Sequence, residues 1–208
     1  MPNSPSSLST VIFDYGEVIS TAQSDAQRAE LEHLSGLDPD VLWPAYWAHR
    51  RAYDGGLSAD EYWNRIAADT GARWDSAQLH QLWACDLASW LDIRETTAAV
   101  ISDLARAGIR LALLSNAPHG IAQALPSTPL FEPFEQLWFS CEQGRTKPDP
   151  VIYTGLLDVL QVKPADAAFI DDRPENVATA DQLGMAAHQY SGPHQLRQFL
   201  ARSHLLDG

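Results

Sequence analysis

The chain has 208 residues, 45% of them hydrophobic and 20% charged, which suits a buried core in one domain with an insertion or in two small ones. Its formal net charge of -13 argues against non-specific nucleic-acid binding, which needs clustered Lys and Arg, and against docking on an anionic membrane. An anionic substrate would need positive charge supplied locally, by a few basic side chains or a metal ion.

The first ten residues, MPNSPSSLST, are polar and carry neither the basic nor the apolar segment of a secretory leader. TVIF, residues 10–13, reads as a strand ending on Asp14, with Gly16 and Glu17 close behind in VIFDYGEVIS. The interval from Ala22 to Asp92 shows no strand pattern but several amphipathic helical stretches. One is expected to start at Ser58, because SADE places Glu61 three residues on and offers a capping box. Trp43, Trp47, Trp63, Trp74, Trp83 and Trp90 fall in this interval and are expected to fill the core of a small helical module. WAHRR sets His49, Arg50 and Arg51 in a run that reads first as solvated helix surface, and second as a pocket group for an anion or a polyol. Gly55-Gly56 would let these helices bend or shift as a site closes.

Beyond Asp92 strands and helices alternate. A helix from Thr96 to Ala107 is expected to end at Gly108, a good residue just past a helix end. Strands follow at RLALLS (110–115), QLWFS (136–140), AAFI (167–170) and MAAHQY (185–190). Helices from Pro150 to Leu160 and from Pro174 to Leu183 both start with Pro, which is favourable at the first helical position. The alternation implies βαβ units, hence an α/β fold with a parallel sheet, helices on both faces and an all-helical insertion after the first strand. The expected division is a core domain of residues 1–21 and 93–208 and a helical domain of residues 22–92. Cys85 and Cys141 lie far apart in no metal-type spacing, which fits reduced thiols. No stretch reaches the ~18 apolar residues that span a bilayer, so a soluble, cytoplasmic protein is expected.

Ligands of open α/β sheets collect outside the carboxyl ends of the strands. The first strand delivers Asp14 there, and the second delivers Ser115 and Asn116. FIDD delivers Asp171 and Asp172, while GRTKPDP carries Lys147 in a loop. Singly, these residues have plain readings: a turn-forming Asp, a Ser-Asn helix cap, a solvated Lys. Adjacent acids after an apolar strand repel one another unless a cation intervenes, and Lys163 is the sole other lysine. Together the set offers a nucleophile, a cation, hydroxyl and amide donors and a metal-binding acid pair.

FDYGEV, LLSNA, RTKPDP and FIDDRPEN resemble the four ordered motifs of the haloacid dehalogenase-like (HAD) hydrolase superfamily. With ATADQLGM downstream, the chain is similar to the phosphatase-like subgroup that carries a helical cap after the first strand of a Rossmann-like core. The resemblance implies that Asp14 attacks phosphorus in line to give an aspartyl-phosphate that water hydrolyses. It implies that Ser115, Asn116, Lys147, Gly16 and Glu17 contact the substrate, with Lys147 offsetting the repulsion between Asp14 and the phosphate. It further implies Mg²⁺ held by Asp14, the Gly16 carbonyl, Asp172 directly and Asp171 directly or through water, with Asn176 steadying that loop.

Most phosphatases of the superfamily carry a second Asp where this chain has Gly16. That carboxylate handles a proton, a function worth roughly 10²–10⁴-fold, and here Glu17, a water or the substrate would handle it. The expected substrate is a small phosphorylated metabolite such as a sugar phosphate, turned over by a monomer or homodimer. Arg145 and Arg173 would add local positive charge. A metal-independent 2-haloacid dehalogenase also lacks the second Asp but has no use for Asp171-Asp172. Phosphonate cleavage would need a lysine between residues 22 and 92, where none occurs. A phosphomutase would need the missing Asp. A non-catalytic phosphate-binding or partner-binding protein on this fold is invited by Gly16, but retention of Asp14, Ser115, Lys147 and Asp172 argues against it.

Overall fold

A computed structural model describes residues 8–206. Residues 1–7, most of the polar start and part of the expected core domain, lie outside the described residues, as do residues 207 and 208.

Strand β1 (Thr10–Phe13) is buried along its whole length, as an apolar run must be when helices cover both faces of a sheet. It is followed by four helices, α1 (Asp25–Ser35), α2 (Pro39–Asp54), α3 (Ala59–Thr70) and α4 (Ser76–Ser89). Then come α5 (Glu95–Arg106), β2 (Arg110–Ser115), α6 (His119–Ala124), β3 (Phe134–Phe139), the one-turn α7 (Ser140–Gln143) and α8 (Pro150–Leu160). The chain ends with β4 (Ala167–Asp171), α9 (Pro174–Gln182), β5 (Ala186–Gln189) and α10 (Pro193–Arg202). The five strands lie in the order β3-β2-β1-β4-β5, and every pair is parallel. This is the expected α/β fold, a Rossmann-like parallel sheet.

The period-two alternation of the strands divides the core into two layers. Val11, Phe13, Leu111, Leu113 and Ile170 face Val100 and Leu104 of α5, Ile121 of α6 and Leu196 of α10. Ile12, Ala112, Leu114 and Phe169 face Ile152, Leu156 and Leu160 of α8 and Ala180 of α9. The order reverses at β1, with β2 on one side and β4 on the other, so the crevice forms beyond the end of β1, where Asp14 stands.

Helices α1 to α4 bury a separate cluster centred on Tyr46, Tyr62, Trp63, Leu31 and Leu82. Their starts are written locally. Ser24 with Gln27, Ser58 with Glu61 and Asp75 with Gln78 each form a capping box. The expectation for the tryptophans holds for Trp43 and Trp63 and, half-buried against the same cluster, for Trp74 and Trp83, whereas Trp90 packs on the sheet-side core and Trp47 is 47% exposed. Trp47 is left out because α2 turns that face toward the crevice and not toward α3.

The two chain crossings into the helical segment lie side by side. Ser20 bridges Ile93 antiparallel, the Thr21 N–H donates to the Asp92 carbonyl at 2.8 Å, and the Tyr15 hydroxyl donates to the Trp90 carbonyl at 2.6 Å. Gly55 ends α2, and Gly56 stands at φ +111° with its α-carbon so near the Cys141 carbonyl that a β-carbon would come within 2.9 Å of it. Gly56 therefore permits a close approach of α2 to α7, a tighter role than the loose hinge expected from the pair. Among the described residues, no helix is long and apolar enough to cross a membrane.

Candidate active site

Asp14 follows the last residue of β1, and its N–H continues the ladder by donating to the Ile170 carbonyl at 2.8 Å. The carboxylate turns back to accept the Tyr15 N–H at 2.7 Å and meets the Lys147 ammonium at 2.8 Å. The same ammonium lies 2.6 Å from Asp171, so one buried cation serves two carboxylates. Lys147 sits on an irregular loop, and Asn116 holds that loop. The Asn116 amide accepts the Lys147 N–H at 2.8 Å and donates to the Lys147 carbonyl at 3.0 Å. Asp171 is fully enclosed and also takes both Asn176 amide bonds, at 2.9 and 3.0 Å, and the Arg173 N–H at 2.9 Å.

These charges shift one another. Burial pushes the Asp14 carboxyl up to about 7, against the pull of Lys147 and with a further push from Asp171. Burial alone would lower the Lys147 ammonium, but Asp14 and Asp171 together hold it above the ordinary lysine range. Burial raises Asp172 too, and neighbouring Asp171 and Glu17 add to the effect. Asp14, Asp171 and Asp172 each offer an oxygen within 4.8 Å of the others. An all-oxygen acidic cluster of this kind fits a hard divalent cation such as Mg²⁺, whose charge would relieve the repulsion that raises these groups.

A cavity of about 260 Å³ opens above this cluster. Asp14, Gly16, Glu17, Asn116, Lys147 and Asp172 line it from the core. Ser115 is buried beside it and does not line it, and neither does Asp171. Asn116 lines the cavity, and its side-chain amide pairs with both backbone groups of Lys147, which positions that loop. A β-carbon on Gly16 would meet nothing within 4 Å, so the missing carboxylate leaves open space. Glu17 stands at φ +58°, a left-handed conformation uncommon for a side-chain-bearing residue, with its N–H directed to the Ser20 hydroxyl at 3.3 Å. Arg173 lines the cavity, whereas Arg145 pairs with Asp149 at 2.8 Å and does not.

The roof comes from the helical segment: Trp47, Arg50, Arg51, Asp54 and Trp90. Arg50 departs from the solvated surface expected of it, since its side chain is only 12% exposed. Its Nε donates to Asp54 at 2.9 Å, its Nη1 donates to the Tyr46 hydroxyl at 2.6 Å, and Asp86 lies 3.7 Å away. His49 instead pairs outside the cavity with Asp69 at 2.7 Å. The sequence signals for the roof are the WAHRR run, whose pocket reading holds for Arg50 and Arg51, and the four-residue spacing of Arg50 and Asp54 at the end of a helix. Asp86 and Trp90 come from α4 and its end, and nothing local in the sequence ties them to Arg50.

Comparison with known proteins bears on the family and the fold. Residues 8–184 match the family model described as haloacid dehalogenase-like hydrolase. The chain is 26% identical over 203 residues to the D-ribitol-5-phosphate phosphatase of Bacteroides thetaiotaomicron, covering 93% of this chain and 97% of that protein. Two other curated relatives match over short stretches, and the chain spans only 25% and 10% of their length. Among solved structures, a HAD family enzyme from Bacteroides thetaiotaomicron in its magnesium complex superposes with a TM-score of 0.73 at 19% identity, over 92% of this chain and 99% of that one. The L-2-haloacid dehalogenase of Xanthobacter autotrophicus gives 0.64 at 19% identity, over 94% and 83%. At such identities the structures speak for the fold alone. The family match spans most of the chain, and the protein belongs to the haloacid dehalogenase-like hydrolases.

Proposed function

We propose that this protein is a Mg²⁺-dependent phosphatase acting on a small phosphorylated metabolite, a sugar or polyol phosphate, through an aspartyl-phosphate on Asp14. The observation that carries this reading is the buried Lys147 between Asp14 and Asp171, with Asp172 completing an acidic cluster at the point where the strand order reverses. The family relative named for D-ribitol-5-phosphate phosphatase activity, aligned over almost its whole length, supports it. On this reading residues 22–92 act as a cap domain over a core of residues 1–21 and 93–208.

The Asp14 oxygen attacks phosphorus, the bond from phosphorus to the leaving oxygen breaks, and that oxygen takes up a proton. Water then attacks the phosphorus of the aspartyl-phosphate, releasing inorganic phosphate and restoring the carboxylate. Lys147 holds Asp14 in position and faces the charge that builds on the phosphoryl oxygens, in a buried site where such a contact is strong. The backbone N–H of Asn116 would accompany it, the Ala117 N–H being given to the Ser140 hydroxyl, and the Asn116 side chain keeps the Lys147 loop in place. Asp14, Asp172 and the Gly16 carbonyl would hold Mg²⁺, with Asp171 behind them. When bound, the ion supplies Lewis-acid stabilisation of phosphoryl oxygens and screens the incoming dianion from the carboxylates. The proton duty left vacant at Gly16 falls to Glu17, to a water or to the substrate.

A dehalogenase reading draws on the structural likeness to haloacid dehalogenases. It leaves the clustered oxygens of Asp14, Asp171 and Asp172 without a task, because displacement at carbon requires no metal. The deciding experiment is phosphate release from p-nitrophenyl phosphate with and without Mg²⁺, beside Asp14→Asn. Mg²⁺-dependent turnover that drops by roughly 10⁴-fold or more in the variant is expected. Halide release from a 2-haloacid without phosphate release would overturn the reading.

A further inference from the structure

We infer that Arg50 and Asp54 form a donor–acceptor clamp for adjacent hydroxyl groups on the organic part of the substrate, selecting a phosphate ester whose organic part is uncharged and polyhydroxylated over one bearing a second anion. This rests on the phosphatase reading and concerns what the roof of that site recognises. The two residues stand one turn apart on α2, their side chains 12% and 14% exposed, and both line the cavity. They are held rigidly. The guanidinium is fixed by Asp54 at 2.9 Å and the Tyr46 hydroxyl at 2.6 Å, and it packs 5.1 Å from the Trp90 ring centroid. The Tyr46 hydroxyl in turn donates to Asp86 at 2.6 Å and accepts the Trp90 indole N–H at 3.2 Å. The Asp54 carbonyl accepts the Ser140 hydroxyl at 2.5 Å, and that hydroxyl accepts the Ala117 N–H at 3.0 Å. The clamp is thus tied through Ser140 to the loop that follows Ser115.

Two groups in this arrangement are left to serve a ligand. Among the described residues, Arg50 Nη2 and Asp54 Oδ2 have no hydrogen-bond partner. A hydroxyl can donate to the free carboxylate oxygen while a neighbouring hydroxyl accepts from the free guanidinium edge, and a diol satisfies both at once. A carboxylate or a second phosphate cannot. It would gain the Arg50 contact, with Arg51 and Arg173 also on the lining, but at the clamp it would press its charge against the free Asp54 oxygen, with Asp86 close behind. Trp47, exposed on the same wall, offers an indole face to the C–H surface of a carbon chain. The cavity of about 260 Å³ leaves room for a few carbons only, below the size typical of drug-sized ligand pockets.

The test compares kcat/KM of the Mg²⁺-loaded protein on p-nitrophenyl phosphate, on a five-carbon polyol phosphate and on 2-phosphoglycolate, whose carboxylate replaces the hydroxyls. Asp54→Asn and Arg50→Gln are measured beside the wild type, with inhibition by inorganic phosphate reporting whether the phosphoryl site is intact. The wild type is expected to favour the polyol phosphate over phosphoglycolate by about tenfold or more. Each variant is expected to lower the polyol-to-aryl ratio by roughly 10-fold to 100-fold, the range for losing a hydrogen bond to a charged group. Phosphate inhibition should stay within about threefold. An unchanged ratio with phosphate inhibition retained overturns the clamp, as does a wild type that prefers phosphoglycolate. If a variant loses phosphate inhibition, Arg50→Lys and Asp54→Glu take its place: a clamp requires their ratio to fall, and an unchanged ratio overturns it. A folded wild type that hydrolyses none of the three esters overturns the phosphatase reading, and the clamp with it.

Discussion

The sheet end and the helical roof each bury one cation between two carboxylates, and they do it by different means. At the sheet end Lys147 lies between Asp14 and Asp171, which arrive from β1 and β4. In the roof Arg50 lies between Asp54 and Asp86, which arrive from α2 and α4. Lysine is a compact point charge that a newly arrived anion can share, whereas the arginine fork fixes the direction of each bond. The sheet-end cluster opens Asp14 and the half-exposed Asp172 to the cavity, while the roof cluster is wrapped by Tyr46, Tyr53 and Trp90 rings and opens only an edge of Arg50 and Asp54. The same charge pattern therefore suits a reacting centre in one place and a shaped wall in the other.

The sharpest way to break this comparison is to remove each central cation. Lys147→Met should lower turnover of p-nitrophenyl phosphate by roughly 10²–10³-fold, the scale of losing a preorganised electrostatic contact. Arg50→Met should instead show its main effect in stability, with a loss of about 3–5 kcal/mol at neutral pH because two buried carboxylates lose their partner. Burial already raises the Asp54 and Asp86 carboxyls above the usual range, with Arg50 opposing it in both. A folded-state pKa above the unfolded one is a penalty present above the folded pKa and relieved as pH falls through it. Without Arg50 both values rise further, so the deficit should be largest at neutral pH and shrink on acidification. Urea melts at two pH values read this directly, and a deficit that grows toward acid would refute the account.

Gly16→Asp sharpens the sheet-end half. The space for its side chain is open, so a folded variant is expected, with turnover of alkyl phosphates raised by up to roughly 10²-fold through restored proton transfer. Poor leaving groups should gain more than p-nitrophenyl phosphate, and equal gains would argue for a different cause.

The smallest expected effect concerns protons and metal. Because Asp14 is pushed up to about 7, Mg²⁺ binding at this cluster would displace a proton below that pH. Apparent Mg²⁺ affinity should fall by up to about tenfold per pH unit below 7 and level off above it. Calorimetry in buffers of different ionisation heat would count the released proton, and a pH-independent affinity would contradict the shift.

Much of the sheet end is legible in the sequence. TVIF, RLALLS and AAFI form β1, β2 and β4 within a residue of their expected bounds, because apolar runs bounded by turn residues leave few alternatives. The capping box at Ser58 is legible for the same local reason. Asp14, Lys147 and Asp171 do meet, and Asp172 joins them at the cavity. Two details are not legible: Ser115 stays outside the cavity lining, and Asn116 pairs its amide with the Lys147 backbone. The second depends on how a loop thirty-one residues away folds back.

By itself, then, the sequence determined the elements, their alternation and the residues gathered at the strand ends, because periodicity, caps and turn chemistry act over a few residues. Only the tertiary structure decided that Arg50 is a buried roof residue and not a solvated one. Its burial depends on Asp86 and Trp90, brought beside it by the packing of α4 against α1 and α3, and a charge enters a protein interior only where such partners already stand.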